Sequence, residues 1–276
     1  MIHTIFPILE NVNEQAQNRE YGEENYGYIY CINDRLLPFQ FSIATSKTVT
    51  NVYLMNNKTG AQVVDLYSYI AGGDWVYEDF TDTSNRYVLH LGDSQFSGGY
   101  VMPDGEYYLE IHTNETGTPK YYSEVFRVMG GDKTTIPTKY FKLEFSNSKD
   151  IDDDEPICYQ DSFAQRGYFK VDAKAPKHRM IEDVIEFEGI EVTRTVTVQE
   201  IHVVRMMIPE TIYRGLIRLP LHDTVTVLDR YGNDNTTAKN ITIGAAEWKG
   251  GGHFCSVDIE YVTESGTMKN TNINLT

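Results

Sequence analysis

The densest set of oxygen donors in the chain is Asp150-Ile151-Asp152-Asp153-Asp154-Glu155. Hard cations such as Ca²⁺ take carboxylates of this kind. A Ca²⁺-binding loop needs glycine at its sixth place and a bidentate Glu at its twelfth. Glu155 and Asp161 stand at those places, so the run reads as a solvated loop. Asp229, Asn233, Asp234 and Asn235 form a second polar cluster, which reads as hairpin-turn chemistry. His3, His90, His112, His178, His202, His222 and His253 show neither HxH nor HExxH spacing. His222 and Asp223 are adjacent, and neighbours on a strand point to opposite faces. Gly250-Gly251-Gly252 lacks the Lys-Ser/Thr that completes a phosphate loop, and no nucleophile elbow or dinucleotide fingerprint occurs. No spacing marks out two carboxylates for glycoside hydrolysis. The expectation is a protein that is not an enzyme, with no catalytic, cofactor-binding or metal-ligating residue.

The elements around these residues read as strands. The chain has 20 Tyr and 12 Phe, aromatic types that suit a pleated, half-buried surface. Leu37, Phe39, Phe41 and Ile43 share one face, and Asn51–Met55 and Tyr87–Leu91 are further strand candidates. Residues 61–70 fit a strand or a short helix. Pro103-Asp104-Gly105 marks a turn into Glu106–His112, where Tyr107, Leu109 and Ile111 should be buried and Glu106, Glu110 and His112 exposed. A closing strand over 121–128 should bury Tyr122, Phe126 and Val128. Gly130-Gly131 and Pro137 then make the best linker.

Beyond it, Phe141, Leu143 and Phe145 alternate with Lys142 and Glu144. Between Val192 and Val204 the apolar phase changes from Val196 and Val198 to Ile201 and Val203, which points to a β-bulge. Ile208–Ile217 reads as a short helix with Pro209 near its first turn. Met180–Glu191 interleaves acids with apolar residues, as a projecting hairpin would. Ser256–Tyr261 is the last strand candidate.

The expected fold class is therefore all-β, with two β-sandwich or barrel-like domains, the first Ig-like, and one short helix in the second. The expected organisation is an N-terminal arm over 1–35, an Ig-like sandwich over 36–133, and a second β domain over 134–276 with a hairpin projecting at 178–191.

A formal net charge of −16 disfavours binding to nucleic acid or to an anionic membrane. It suits either solubility or an acidic lining that DNA does not stick to. Cys31, Cys158 and Cys255 are too few and too scattered for a disulfide framework or a zinc site, which fits assembly in a cytoplasm. The first residues lack the pattern of a signal peptide, and no apolar run reaches the ~20 residues of a membrane span.

The second block carries a likeness. Lys142–Asp150, Ile157–Ala173 and Leu219–Val227 resemble structural proteins of tailed phages and prophages of Bacteroidota, including the crAss-like group. Asp104–Tyr108 with Tyr122–Phe126 is similar to the Ig-like domain that precedes that block there. The resemblance covers most of 90–276 and rests on packing and turn signatures, so it transfers no functional residue. It implies a virion protein of the tail or neck, assembled in the host cytoplasm. That protein would form a homo-oligomeric ring through which DNA passes and would touch neighbouring tail or portal proteins. It needs no cofactor, no sequence-specific nucleic-acid contact and no membrane. The alternative expectation is a carbohydrate-binding or adhesive module of a tail tip or cell surface, with Trp75, Tyr77 and Trp248 as contacts.

Overall fold

The computed structural model describes residues 8–10, 29–37, 39–44, 48–70, 75–80, 86–91, 96–114, 120–129, 140–146, 165–187, 189–227, 236–249 and 254–269. The acid run 150–155, the cluster 229–235 and Cys158 lie outside them, as do most of the expected arm and the linker 130–138. The chain is all-β. In order, the strands of the first half are β1 (Ile8–Glu10), β2 (Ile29–Ile32), β3 (Gln40–Ala44), β4 (Val49–Asn56), β5 (Gln62–Asp65), β6 (Trp75–Phe80), β7 (Arg86–Leu91), β8 (Gly105–Thr113), β9 (Lys120–Ser123) and β10 (Phe126–Met129). Those of the second half are β11 (Phe141–Ser146), β12 (Gln165–Phe169), β13 (Val171–Ala173), β14 (Lys177–Phe187), β15 (Ile190–Pro209), β16 (Thr224–Val227), β17 (Thr236–Thr237), β18 (Lys239–Ile243), β19 (Glu247–Lys249) and β20 (Phe254–Lys269). Helix α1 is one turn, Tyr67–Ile70, so residues 61–70 hold both a strand and a helix. Helix α2, Glu210–Leu216, sits where the sequence places it.

An 11-stranded sheet runs in the order β1-β9-β8-β10-β2-β12-β11-β16-β17, with β4 and β5 branching from β8. Its seam is β2. This strand pairs in parallel with β10, Ile29 opposite Phe126, and antiparallel with β12, Ile29 opposite Phe169. Ile29–Ile32, expected in an arm, thus lie inside the sheet. Ile29 and Cys31 are buried, and the Cys31 thiol donates to the Arg35 carbonyl at 3.0 Å. An apolar Ile-Tyr-Cys-Ile flanked by strands on both edges leaves water only by burial, which is the physical reason it cannot hang free. The strands that flank the expected 133/134 boundary belong to this one sheet.

Around Glu110 the expected alternation gives way. Tyr107, Leu109 and Ile111 are buried as expected, yet so are Tyr108 and Glu110. The closing strand is two strands. β9 pairs with the far half of β8 and β10 with the near half, and the irregular Glu124-Val125 between them flips the phase. Tyr121 is therefore buried where Tyr122 was expected to be, while Phe126 and Val128 keep their places.

A second sheet of six strands runs β13-β15-β20-β18, with β14 added to β15 and β19 to β20. The chain changes sheets at Lys170, since β12 belongs to the first and β13 to the second. The near half of the second sheet packs on the first. Val204, Met206, Ile208, Val257 and Ile259 share one core with Phe141, Leu143, Phe145 and Phe169, and the Phe141 and Tyr261 rings lie 5.9 Å apart. Pro209, which has no N–H to give, ends β15 and opens α2, and Ile212 and Leu216 of α2 are buried against the same core. β3, β7 and β6 form a separate three-stranded sheet.

A seam strand and a loose arm differ in what they contribute to stability. Ile29→Ala is expected to cost about 2–5 kcal/mol in a denaturant titration. A change under about 0.5 kcal/mol, the value for a solvent-exposed position, would remove β2 from the core.

Candidate assembly surface

β15 is 20 residues long, and the core lies under only part of it. From His202 to Pro209 most of its residues are buried; from Thr193 to Ile201 the described ones are half-buried or exposed. The strand continues past the core because its sequence, Val-Thr-Arg-Thr-Val-Thr-Val, is rich in β-branched residues and it is laddered on both edges. β14 pairs with it from Lys177–Ile201 to Phe187–Ile190, and β20 pairs with it from Phe254–Pro209 to Lys269–Thr195. The result is a three-stranded ribbon.

Among the described residues no layer lies beneath β14. Between Lys177 and Glu186 every side chain of β14 is exposed except the half-buried Ile185, so both faces of the strand meet solvent. Met180, Ile181 and Val184 are 61%, 42% and 45% exposed. At the tip Phe187 pairs with Ile190, and Gly189 has φ +77°, a conformation that glycine adopts without strain. β14 and β15 pair as a hairpin across the range 178–191, with β20 as a third member. β20 runs well beyond the expected 256–261.

Two bulges set the ribbon's twist. One places Arg194 as an extra residue between the pairs Asp183–Thr195 and Val184–Thr193. The other places Thr263 as an extra residue between Glu200–Glu264 and Ile201–Val262, inside the window where the apolar phase changes. Buried His202 meets this second bulge. Its Nε2 lies 3.0 Å from Thr263 Oγ1, its ring stacks on Tyr261 at 5.3 Å, and Glu200 Oε1 is 3.6 Å away.

At the ribbon's base, Asp258 on β20 is held by two cations. Arg205 Nε donates to Oδ1 at 2.7 Å and Nη2 to Oδ2 at 3.1 Å, while Lys174 Nζ donates to Oδ2 at 2.7 Å. The Arg205 hydrogen bonds, with those of Lys174, hold the carboxyl well below its ordinary value, at about 2. Arg205 also borders an open hollow of about 350 Å³ with Lys170, Asp172, Met206 and Ser256. Both oxygens of Asp258 are taken, so the cluster is a clamp joining β20, β15 and the residue after β13.

The other titratable groups are similarly engaged. Burial pulls the Glu110 carboxyl upward, but hydrogen bonds from Lys120 at 2.8 Å and His112 at 2.6 Å overcome that and hold it below its usual range. Burial, with Glu110 beside it, pushes the Tyr122 hydroxyl up to about 12. His222 lies against Phe145 with Nδ1 3.2 Å from the Arg218 and Leu219 carbonyls, and its burial lowers its pKa. Asp223 is exposed just ahead of β16. Burial raises the Cys255 thiol to about 11, and Cys31 and Cys255 are both buried. Among the described residues no three His, Cys, Asp or Glu converge as a metal site would require, and no helix is long and apolar enough to cross a membrane.

The residues singled out for adhesion do not converge on one sheet. Trp75 and Tyr77 lie on β6 of the three-stranded sheet. Trp248 lies on β19 of the second sheet, 48% exposed, edge-on to Tyr213 of α2 at 5.9 Å. Sequence reasoning did not find the Arg205–Asp258–Lys174 clamp. Arg205 and Asp258 meet only through the β15–β20 register, and no local spacing signals it.

No family model matches the chain, and no curated protein matches it. Among solved structures, the complex of Dpr2 Ig1-Ig2 with DIP-Theta Ig1-Ig3 is similar at 10% identity over 96% of this chain and 94% of that one, with a TM-score of 0.15. A likeness at that score carries no argument, and the all-β assignment stands on the strands themselves.

The clamp has a pH signature. Asp258→Asn is expected to destabilise the protein by about 1 kcal/mol at neutral pH, after allowance for solvent screening. A depressed carboxylate contributes above its unfolded value, so the deficit should be full above about pH 4 and vanish as the wild type protonates toward about pH 2. Denaturant titrations of both proteins across that range check it, and a deficit independent of pH would mean that the charge is irrelevant.

Proposed function

We propose that the chain is a structural subunit of a homo-oligomeric ring in the tail or neck of a tailed phage, the class of protein that residues 90–276 resemble. The observation that supports this reading is the ribbon. It extends beyond the core, exposes both faces of β14, and leaves Met180, Ile181 and Val184 in solvent. A strand open on two faces and along one edge is an aggregation hazard for a monomer, and a neighbouring copy that covers it removes the hazard. The net charge of −16 suits a conduit for DNA, because it opposes attachment to phosphates. Neighbouring tail or portal proteins would be further partners. The reading contains no enzymatic step and no cofactor.

One observation favours a second reading, an adhesive or carbohydrate-binding module: Trp248 is half exposed beside Tyr213. Apolar sugar faces stack on such rings, but a binding platform ordinarily needs more than one.

Size-exclusion chromatography with light scattering and negative-stain images of the full chain should show rings or stacked rings. A monomer that binds glycans would replace the first reading by the second. Deleting residues 180–190 is expected to leave a folded monomer, whereas assembly that survives the deletion denies the hairpin a role in it.

A further inference from the structure

The ribbon has two long edges, and the charges along them run in opposite orders. β14 and β20 are each antiparallel to β15, so both run outward toward the tip. β14 begins basic, Lys177-His178-Arg179, and turns acidic at Glu182-Asp183. The outer part of β20 begins acidic at Glu264 and ends basic at Lys269. The shared partner β15 fixes their levels. Glu200 pairs with both His178 and Glu264, and Thr195 pairs with both Asp183 and Lys269. Glu264 therefore stands at the height of the basic end of β14, and Lys269 at the height of its acidic end.

Both edges are open over this stretch among the described residues. β14 pairs only with β15, and β20's other partners, β18 and β19, reach no further than Val262. The stretch is about 20 Å long, enough for a stable strand pairing.

We infer that β14 of one copy pairs in parallel with the outer half of β20 of the next copy, so that the ribbons of successive subunits join into a closed β-barrel. This inference rests on the ring reading above and names its contact. Level pairing sets Glu264 beside His178 and Lys269 beside Asp183, each pair on one face of the sheet. An acid meets a base at both ends of the contact, as cross-strand pairing favours. The contact is head-to-tail, uses two different edges, and is repeated by rotation about an axis along the strands, which is how a ring closes. Closure removes both open edges at once. Two copies of β14 meeting about a two-fold axis would also match basic against acidic ends, but would leave the β20 edge open, and it is the rival the test excludes.

Two charge swaps separate these arrangements. The first is His178→Glu with Asp183→Arg, on β14. The second is Glu264→Lys with Lys269→Glu, on β20. Each alone should weaken association by about tenfold in sedimentation velocity at low salt. The two combined in one chain should restore it, as should mixing the two variants. Circular dichroism and thermal melting confirm that each variant is folded. A two-fold β14 contact stays complementary under the first swap and ignores the second, so wild-type association of both single-swap proteins overturns the proposal while leaving a ring possible by other contacts. Loss in both without recovery in the combined chain also overturns it. A wild-type chain that is monomeric at all concentrations overturns the ring reading itself.

Discussion

The β15–β20 ladder is the interaction on which the other features depend. One end of it is a core strand pair, held by Val204, Met206, Ile208, Val257 and Ile259 against the first sheet. The other end is bare ribbon. No loop or glycine hinge interrupts the register from Pro209–Phe254 to Thr195–Lys269; the Thr263 bulge adds twist without breaking the pairing. Backbone hydrogen bonds along an unbroken ladder make the ribbon an extension of the core, fixed in direction, and the Asp258 clamp ties its base laterally through Arg205 and Lys174. A projecting element can present a defined edge to a neighbour only if it is aimed in advance, and here the aim is set by packing that lies outside the contact.

Much of this was legible in the residues. Phe141, Leu143 and Phe145 alternate and are a strand; a bulge falls between Val198 and Ile201 where the phase changes, though its extra residue, Thr263, is on β20; Pro209 opens a helix; the acid-apolar interleaving after Met180 is an exposed hairpin. Each of these is a local pattern, set by side-chain period or by the chemistry of one residue. What escaped were pairings between distant segments. β2 is four apolar residues after a polar stretch, and nothing in Ile-Tyr-Cys-Ile says that its neighbours are β10 and β12. The outer half of β20, Thr-Glu-Ser-Gly-Thr-Met-Lys, has no apolar alternation, and it is a strand because β15 supplies its ladder. Glu110 looked exposed because it alternates with Leu109 and Ile111, but Lys120, His112 and Tyr122 cover it. The candidate chemistry was legible mainly as its lack of pattern. The clamp, a product of strand register, had no sequence signature at all.

The acidic balance bears differently on the two ends of the molecule. At the clamp and at Glu110, carboxylates are matched by Arg, Lys or His and contribute to a fixed arrangement. On β14 the charges are segregated along one strand, basic then acidic, and exposed. Segregated surface charge contributes little to the stability of the subunit. Its effect is on partner choice and register, because a slipped pairing brings like charges together.

The seam strand also sets an order of events in time. β2 lies near the start of the chain, while its two partners, β10 and β12, end at Met129 and Phe169. During synthesis Ile29–Ile32 must therefore wait, unpaired and apolar, until the ribosome has released the chain through Met129, and one edge stays open until Phe169 follows. Such long-range pairing slows folding and lengthens the window in which an apolar segment can find the wrong strand. The sheet of the first half therefore cannot be completed before β12 of the second has been made.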